Sequence, residues 1–305
     1  MTSDWLIGID LGGTKTEVIL LDRESQEHFR ARLPTPGQDY PATLATIAEL
    51  VRQAERHAGC GGLPVGVGIP GSVSRLTGRV KNGNSTWLNG QAMAVDLQQL
   101  LERRVTLTND ANCLALSEAT DGAGSGYGVV FAAILGTGCG AGVSVNGIPL
   151  SGPNGVAGEW GHNPLPWASP EETAVRPCFC GQHGCNETFL SGPGMALTHR
   201  LQWQEPLTTH EIVAAAAAGD ARAMGTVDTY LDQLARGLAG VINVLDPDVI
   251  VLGGGMSNVP VLYGALPDRL RHYVFGGECD TPVVPALHGD SSGVRGAAWL
   301  GGSTA

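Results

Sequence analysis

Between Gly158 and Glu187 the chain concentrates side chains that bind metals. It reads Gly-Glu-Trp-Gly-His at 158–162 and Cys-Phe-Cys-Gly-Gln-His-Gly-Cys-Asn-Glu at 178–187. Cys178, Cys180 and Cys185 stand at C-x-C-x4-C spacing, with His162 upstream and His183 inside the run. Three soft thiolates and one imidazole make a tetrahedral zinc site of the closed, structural type. Either histidine is a candidate for the fourth ligand. Gly181 and Gly184 supply the tight turns that a metal knuckle needs. The plainer reading is three unrelated thiols in a glycine-rich loop. Glu159 and Glu187 bracket the cluster, so a metal clamp would set two carboxylates and a histidine into one rigid wall.

A second kind of chemistry is written in the glycine turns. Asp10-Leu11-Gly12-Gly13-Thr14-Lys15 follows an apolar run. Such turns let backbone N–H groups approach phosphate oxygens and form anion-binding nests. Thr14 adds a hydroxyl and Lys15 a charge. Asp10 would repel phosphate unless Mg²⁺ lay between them. A strand rather than a helix follows, so this is neither the GxxxxGK[ST] loop nor a dinucleotide fingerprint. Taken alone, it also fits an ordinary hairpin turn. Gly136-Thr137-Gly138 has the same character without a charge. Gly253-Gly254-Gly255 offers a third backbone approach, suited to a base or ribose, or simply a helix-entry turn.

Asp110 lies in Thr-Asn-Asp-Ala-Asn, where an apolar strand gives way to a helix. Ligands of open α/β sheets bind at the carboxyl ends of strands. A carboxylate there can take a hydroxyl proton as that oxygen attacks phosphorus. The plainer reading makes Asp110 a helix N-cap. Asn84 sits in Lys-Asn-Gly-Asn-Ser-Thr-Trp-Leu-Asn-Gly, a loop dense in amides with one Trp. That mixture suits a polyol, or a surface turn.

The elements that must position these residues follow from hydrophobic periodicity. Strands are expected at 5–10, 16–22, 65–70, 105–110, 129–135, 141–145, 249–252 and 281–287. Helices are expected near 42–58, 95–104, 111–122, 192–201, 209–218, 221–245, 260–274 and 291–300. Strand, glycine turn and strand recur at 5–22 and 129–145, which points to a duplicated architecture.

Composition narrows the function classes. The 305 residues carry a formal net charge of −11 and are 43% hydrophobic, and the pI is near 5.1. This argues against non-specific nucleic-acid or anionic-membrane binding. No stretch stands out as suited to spanning a bilayer, and no signal peptide is expected. Seven cysteines, three of them clustered, point to a reducing cytoplasm rather than a disulfide framework.

Together these motifs resemble the ROK family of sugar kinases. Asp-Leu-Gly-Gly-Thr-Lys at 10–15 is similar to the family's first phosphate loop, and Leu-Gly-Thr-Gly-Cys-Gly-Ala-Gly at 135–142 to its second. Val-Leu-Gly-Gly-Gly at 251–255 is similar to the nucleotide-side motif. Gly-Glu-Trp-Gly-His with C-x-C-G-x-x-G-C-x-E resembles the family signature, and Asn-Asp-Ala-Asn at 109–112 the catalytic segment.

The resemblance implies an α/β protein of actin-like (sugar kinase/Hsp70 ATPase) fold. It has two lobes of duplicated ribonuclease H-like topology around an interlobe cleft. The expected small lobe is 1–118 with the C-terminal helix 291–305, and the large lobe 119–290 carries the zinc loop. Carried over, Asp110 is the general base. Asn84, Asn109, Glu159, His162 and Glu187 contact sugar. Asp10, Gly12, Gly13, Thr14, Lys15, Gly136, Thr137, Gly138, Gly253, Gly254 and Gly255 form the ATP site. His162, Cys178, Cys180 and Cys185 bind zinc, which settles the fourth ligand on His162.

The implied reaction is transfer from Mg-ATP to the 6-hydroxyl of a hexose. The loop around Asn84 and Gly-Glu-Trp-Gly-His-Asn-Pro-Leu-Pro-Trp most resemble bacterial fructokinases that also take mannose. The alternatives are an N-acetylglucosamine or N-acetylmannosamine kinase, or a glucokinase. A homodimer without nucleic-acid or membrane partners is expected. Sugar-responsive regulators of the family carry a helix-turn-helix domain before the first phosphate loop. Here Asp10 is nine residues from the start, so a kinase is expected.

Overall fold

The computed structural model describes residues 4–289 and 292–302. The chain folds as two compact units, Met1–Gly126 with Gly142–Ala157 and Asp290–Ala305, and Tyr127–Ala141 with Gly158–Gly289.

In the first unit the chain runs β1 (Trp5–Leu11), β2 (Lys15–Asp22), β3 (Glu27–Pro34), α1 (Tyr40–Ala58) and β4 (Val65–Ile69). It continues through the short pair β5 (Ser72–Val73) and β6 (Val80–Lys81) to α2 (Met93–Leu101), β7 (Val105–Asn109) and α3 (Asp110–Thr120). Then come β8 (Val129–Leu135), β9 (Cys139–Val145), β10 (Ile148–Pro149), α4 (Pro170–Ala174), α5 (Glu187–Leu190), α6 (Gly192–Trp203), α7 (Thr209–Ala217) and α8 (Ala221–Leu245). The chain closes with β11 (Val249–Gly253), α9 (Val261–Tyr273), β12 (Val283–Pro285) and α10 (Ser292–Gly302).

Two five-stranded sheets carry the same plan. One is ordered β3-β2-β1-β4-β7 and the other β10-β9-β8-β11-β12. In the first, β1 and β2 are antiparallel, and β1, β4 and β7 are parallel. In the second, β8, β11 and β12 are parallel. This repeat is the duplicated topology that the two glycine turns announced.

Local chemistry accounts for the elements. Asp39 caps α1 by accepting from the Ala42 N–H, and Gly59 ends the helix in the left-handed region at φ 69°. Between the caps, Ile47, Leu50, Val51 and Ala54 face the sheet. They join Ile7, Ile9, Val18, Leu20, Val65 and Val67 in the main core, each buried side chain contributing roughly 1.5–3 kcal/mol. On the sheet's other face α10 lies directly on bare backbone. A Cβ at Gly8 would sit 2.1 Å from the Val294 carbonyl oxygen, and one at Gly66 1.9 Å from that of Ala297. Glycine is required there by close approach.

β3 has no counterpart among the strands expected from sequence. Its period-2 pattern, Phe29, Ala31 and Leu33 inward with Arg30 and Arg32 outward, is that of a half-buried edge strand. Arg30 and Arg32 both pair with the buried Glu17 of β2. The strand expected at 281–287 is confined to Val283–Pro285. Ser291 and 303–305 of the expected closing helix lie outside the described residues.

Candidate active site and metal knuckle

In the first unit the carboxyl ends of three parallel strands bring together Asp10, Gly71 and Asn109. Asp10 pairs across β1 and β4 with Gly68, and Ile69 pairs across β4 and β7 with Asn109. Asn109, not Asp110, is the N-cap of α3. Its Oδ1 accepts from the Ala111 N–H at 2.9 Å, and its Nδ2 donates to the Gly71 carbonyl at 2.9 Å. Asp110 is the first helical residue and is exposed. Its Oδ1 also accepts from the Ala111 N–H, at 2.8 Å. The N-cap role belongs to its neighbour Asn109.

The loop that carries Asn84 is fastened from two sides. The Asn89 amide clasps Gly83, accepting from its N–H and donating to its carbonyl, each at 2.9 Å. Gly83 in turn packs on Gly71, where a Cβ would lie 2.6 Å from the Gly83 nitrogen. Asn84 is thereby exposed on a fixed loop. The Asp10–Lys15 turn closes through a hydrogen bond from the Gly12 N–H to the Lys15 carbonyl at 3.0 Å. Thr35 supports it, donating through Oγ1 to the Gly12 carbonyl at 2.8 Å and through its N–H to the Thr14 carbonyl at 3.0 Å. Gly13, Thr14 and Lys15 are left exposed. Neither Asn89 nor Thr35 stood out in the sequence, because each acts on backbone groups that only folding brings within reach.

Burial pushes the Asp10 carboxyl up to about 6, with the Asp110 and Glu17 carboxylates adding to the effect. Hard oxygen donors of this kind suit Mg²⁺, with substrate phosphates completing the shell.

In the second unit the cysteine run closes on itself. Backbone bridges pair Pro164 with Cys185 and Pro177 with His183. Gly181 at φ 90° and Gly184 at φ 72° take the turns. One ligand atom from each of His162, Cys178, Cys180 and Cys185 lies within 4.8 Å of all the others. His162 Nδ1 is 3.5 Å from Cys178 Sγ, and Cys180 Sγ is 3.6 Å from Cys185 Sγ. Tetrahedral zinc with metal–sulfur bonds of about 2.3 Å has ligand–ligand edges of roughly 3.8 Å. A disulfide requires about 2.05 Å, and all seven cysteines are free. The donor set and spacing therefore fit zinc. His183 is exposed and outside the cluster. Without a cation, burial drives the Cys185 thiol up to about 12. A coordinated metal stabilises the thiolates.

The knuckle leads straight into the glycine turn of the same unit. One residue after Asn186, Glu187 starts α5 and its Oε2 accepts from the Cys139 N–H at 2.9 Å. Asn186 Nδ2 donates to the Trp160 carbonyl at 2.8 Å, and Trp160 Nε1 to the Gly140 carbonyl at 3.0 Å. Gly161 lies against the Cys139 carbonyl, where a Cβ would stand at 1.8 Å. The Glu159–His162 segment, α5 and residues 136–140 thus form one packed assembly. Gly136 is tied to α6 through its carbonyl, which accepts from the Gly192 N–H at 2.8 Å. The next turn stacks on it, because a Cβ at Gly254 would lie 2.6 Å from the Leu135 carbonyl oxygen. Gly136 and Gly255 both face open space. Further along, α7, α8 and residues 259–261 enclose an apolar hollow of 350 Å³ lined by Val213, Ala217, Met224, Val227, Leu231 and Val261.

The ROK family pattern matches residues 6–303. The chain belongs to the ROK family. It is 41% identical over 297 residues to an N-acetyl-D-glucosamine kinase of Escherichia coli O139:H28, an alignment covering 96% of this chain and 98% of that one. A ROK hexokinase from Thermus thermophilus superposes with a TM-score of 0.85 at 31% identity, covering 97% of each chain. A ROK glucokinase from Streptomyces griseus, solved with glucose and AMPPNP, gives 0.77 at 26% identity, covering 97% of this chain and 98% of that one. This ROK protein is a sugar kinase of actin-like fold that uses ATP. Among its described residues no helix is long and apolar enough to cross a membrane.

Proposed function

We propose that this ROK protein phosphorylates N-acetyl-D-glucosamine at its 6-hydroxyl, with Mg-ATP as donor. The observation that carries the reading is the 41% identity to an N-acetyl-D-glucosamine kinase over nearly the full length of both chains. It favours the N-acetylhexosamine alternative over the fructose and mannose expected from the Asn84 loop.

The reading assigns the following roles. Asp110 accepts the proton of the attacking hydroxyl. Asn84, Asn109, Glu159, His162 and Glu187 are the proposed sugar contacts. Lys15 and the backbone N–H groups of Gly12–Thr14 and Gly136–Gly138 bind phosphates. Gly253–Gly255 and the apolar hollow beyond them take ribose and base. When bound near Asp10, Mg²⁺ offsets charge on the β- and γ-phosphate oxygens. The residues His162, Cys178, Cys180 and Cys185 hold a structural zinc. Because Nδ1 of His162 faces the sulfurs, its Nε2 is available to the sugar. Most of the work assigned to the protein is positioning and charge stabilisation, as phosphoryl transfer demands. A homodimer is part of the same reading, checked by light scattering.

ADP release with N-acetylglucosamine, N-acetylmannosamine, glucose, mannose and fructose tests the assignment. The highest kcat/KM is expected on N-acetylglucosamine. Preference for glucose would favour the hexokinase relationship, which has its own support in the Thermus thermophilus structure. Preference for fructose would reinstate the loop-based reading.

A further inference from the structure

The zinc knuckle is joined to α5 by a second connection that contains no metal. Arg176 stands two residues before Cys178 and is 3% exposed. Its guanidinium reaches α5 and α6. Nη1 donates to the Thr188 carbonyl of α5 and to the Gly194 carbonyl of α6 at 3.4 Å. Nη2 donates to Thr198 Oγ1 of α6 at 2.7 Å. The guanidinium carbon lies 4.0 Å from the centre of the Phe189 ring, a cation–π contact with α5. At the other end its backbone carbonyl accepts from the Gly184 N–H of the knuckle at 2.9 Å.

Burying this charge is costly. The side chain is almost wholly out of solvent, and Nε has no hydrogen-bond partner among the described residues. A buried cation with an unsatisfied donor calls for a compensating role. The residues it grips show one. Thr188 and Phe189 directly follow Glu187, whose carboxylate holds the Cys139 N–H at the exit of the Gly136–Gly138 turn. α5 is only four residues long, so it has little rigidity of its own.

We infer that Arg176 is a positioning residue for Glu187, clamping α5 onto α6 so that the Glu187 carboxylate is held on the Cys139 N–H. One side chain thereby sets both a sugar-binding carboxylate and the exit of a phosphate-binding turn. The role rests on the kinase reading above, but its structural part does not depend on which sugar is used.

The test uses the zinc-loaded full chain with Arg176→Met, Arg176→Lys and the milder Thr198→Val, which removes one partner of the guanidinium and nearly keeps its volume. Each is measured for zinc content, for hydrogen–deuterium exchange of the peptide containing Cys139, and for KM and kcat. In Arg176→Met, zinc stays at wild-type content and exchange at Cys139 rises about tenfold. KM for both sugar and ATP rises about tenfold, as expected on losing a charge-assisted clamp. Thr198→Val shifts the same quantities less, and Arg176→Lys recovers part of them. Unchanged Cys139 exchange in folded Arg176→Met or Thr198→Val overturns the inference, as does zinc loss in proportion to the kinetic loss. Wild-type protein inactive on every sugar would defeat the kinase reading instead, and the exchange measurement would still decide the clamp.

Discussion

The Glu187 carboxylate accepts a hydrogen bond from the Cys139 N–H at 2.9 Å. One residue thus links the end of the metal knuckle to the exit of the second glycine turn. Glu187→Gln keeps the size but makes the acceptor neutral, and charge-assisted bonds are about twice as strong as neutral ones. KM for the sugar is expected to rise roughly tenfold or more and KM for ATP by a smaller factor. A change in the sugar constant alone would show that the bond to Cys139 is idle in binding.

Asp110 is exposed at the first position of α3, so its loss touches the fold little. Asp110→Ala is expected to lower kcat roughly a thousandfold, within the range for general base catalysis. Its melting temperature should stay within a few degrees of wild type. Turnover near the wild-type rate in folded protein would remove Asp110 from the role of base.

Removing the metal should loosen the knuckle. Chelation, or Cys180→Ser, is expected to release about one zinc per chain and cost at least about 2 kcal/mol, or roughly 4–8 °C of melting temperature. Protons compete for the thiolates and His162, so the metal is retained at neutral pH and lost as pH falls. Unchanged metal content in Cys180→Ser would exclude that thiol as a ligand.

Asp10 makes stability depend on pH in a predictable sense. Its folded pKa is raised to about 6, above the unfolded value of about 3.9. The unligated fold therefore prefers the protonated form. Its contribution is fully present below about pH 4 and is lost as pH rises through about 6. Asp10→Asn should raise the melting temperature of the unligated protein at pH 8 and leave it nearly unchanged at pH 4. Where Mg-ATP needs an ionised Asp10, kcat/KM should fall as pH drops below about 6. Equal melting shifts at both pH values would show that the carboxyl is not strained by burial.

Gly66 faces α10 with no room for a side chain, since a Cβ would stand 1.9 Å from the Ala297 carbonyl oxygen. Backbone cannot give way cheaply, so Gly66→Ala should destabilise the first unit by about 3 kcal/mol or more. Thermal melting checks this. A wild-type melting temperature would mean that α10 does not rest on β4.

Where periodicity was strong, the elements were legible in the sequence. α8 occupies Ala221–Leu245 and β8 Val129–Leu135, as the apolar pattern indicates, because each meets its core with one continuous face or run. β3 was not legible. Its outward arginines mask the alternation, and their pairing with the buried Glu17 on the neighbouring strand appears only in the fold. Within the candidate site, the cysteine spacing and the glycine turns were visible because their geometry is local. Asn89, Thr35 and Arg176 were not, because each works on backbone groups that are remote or that only folding brings within reach.

The sequence by itself determined the repeated strand–glycine turn–strand plan, the three thiols at metal-ligand spacing and the family. These are patterns of period and spacing, which neighbouring residues impose on the backbone. Only the tertiary structure decided that Asn109 caps α3 so that Asp110 does not, and that Glu187 reaches Cys139. Those outcomes depend on which distant segments bury one another. Contacts of that kind are selected by packing and by the need to satisfy buried polar groups, and no local pattern encodes them.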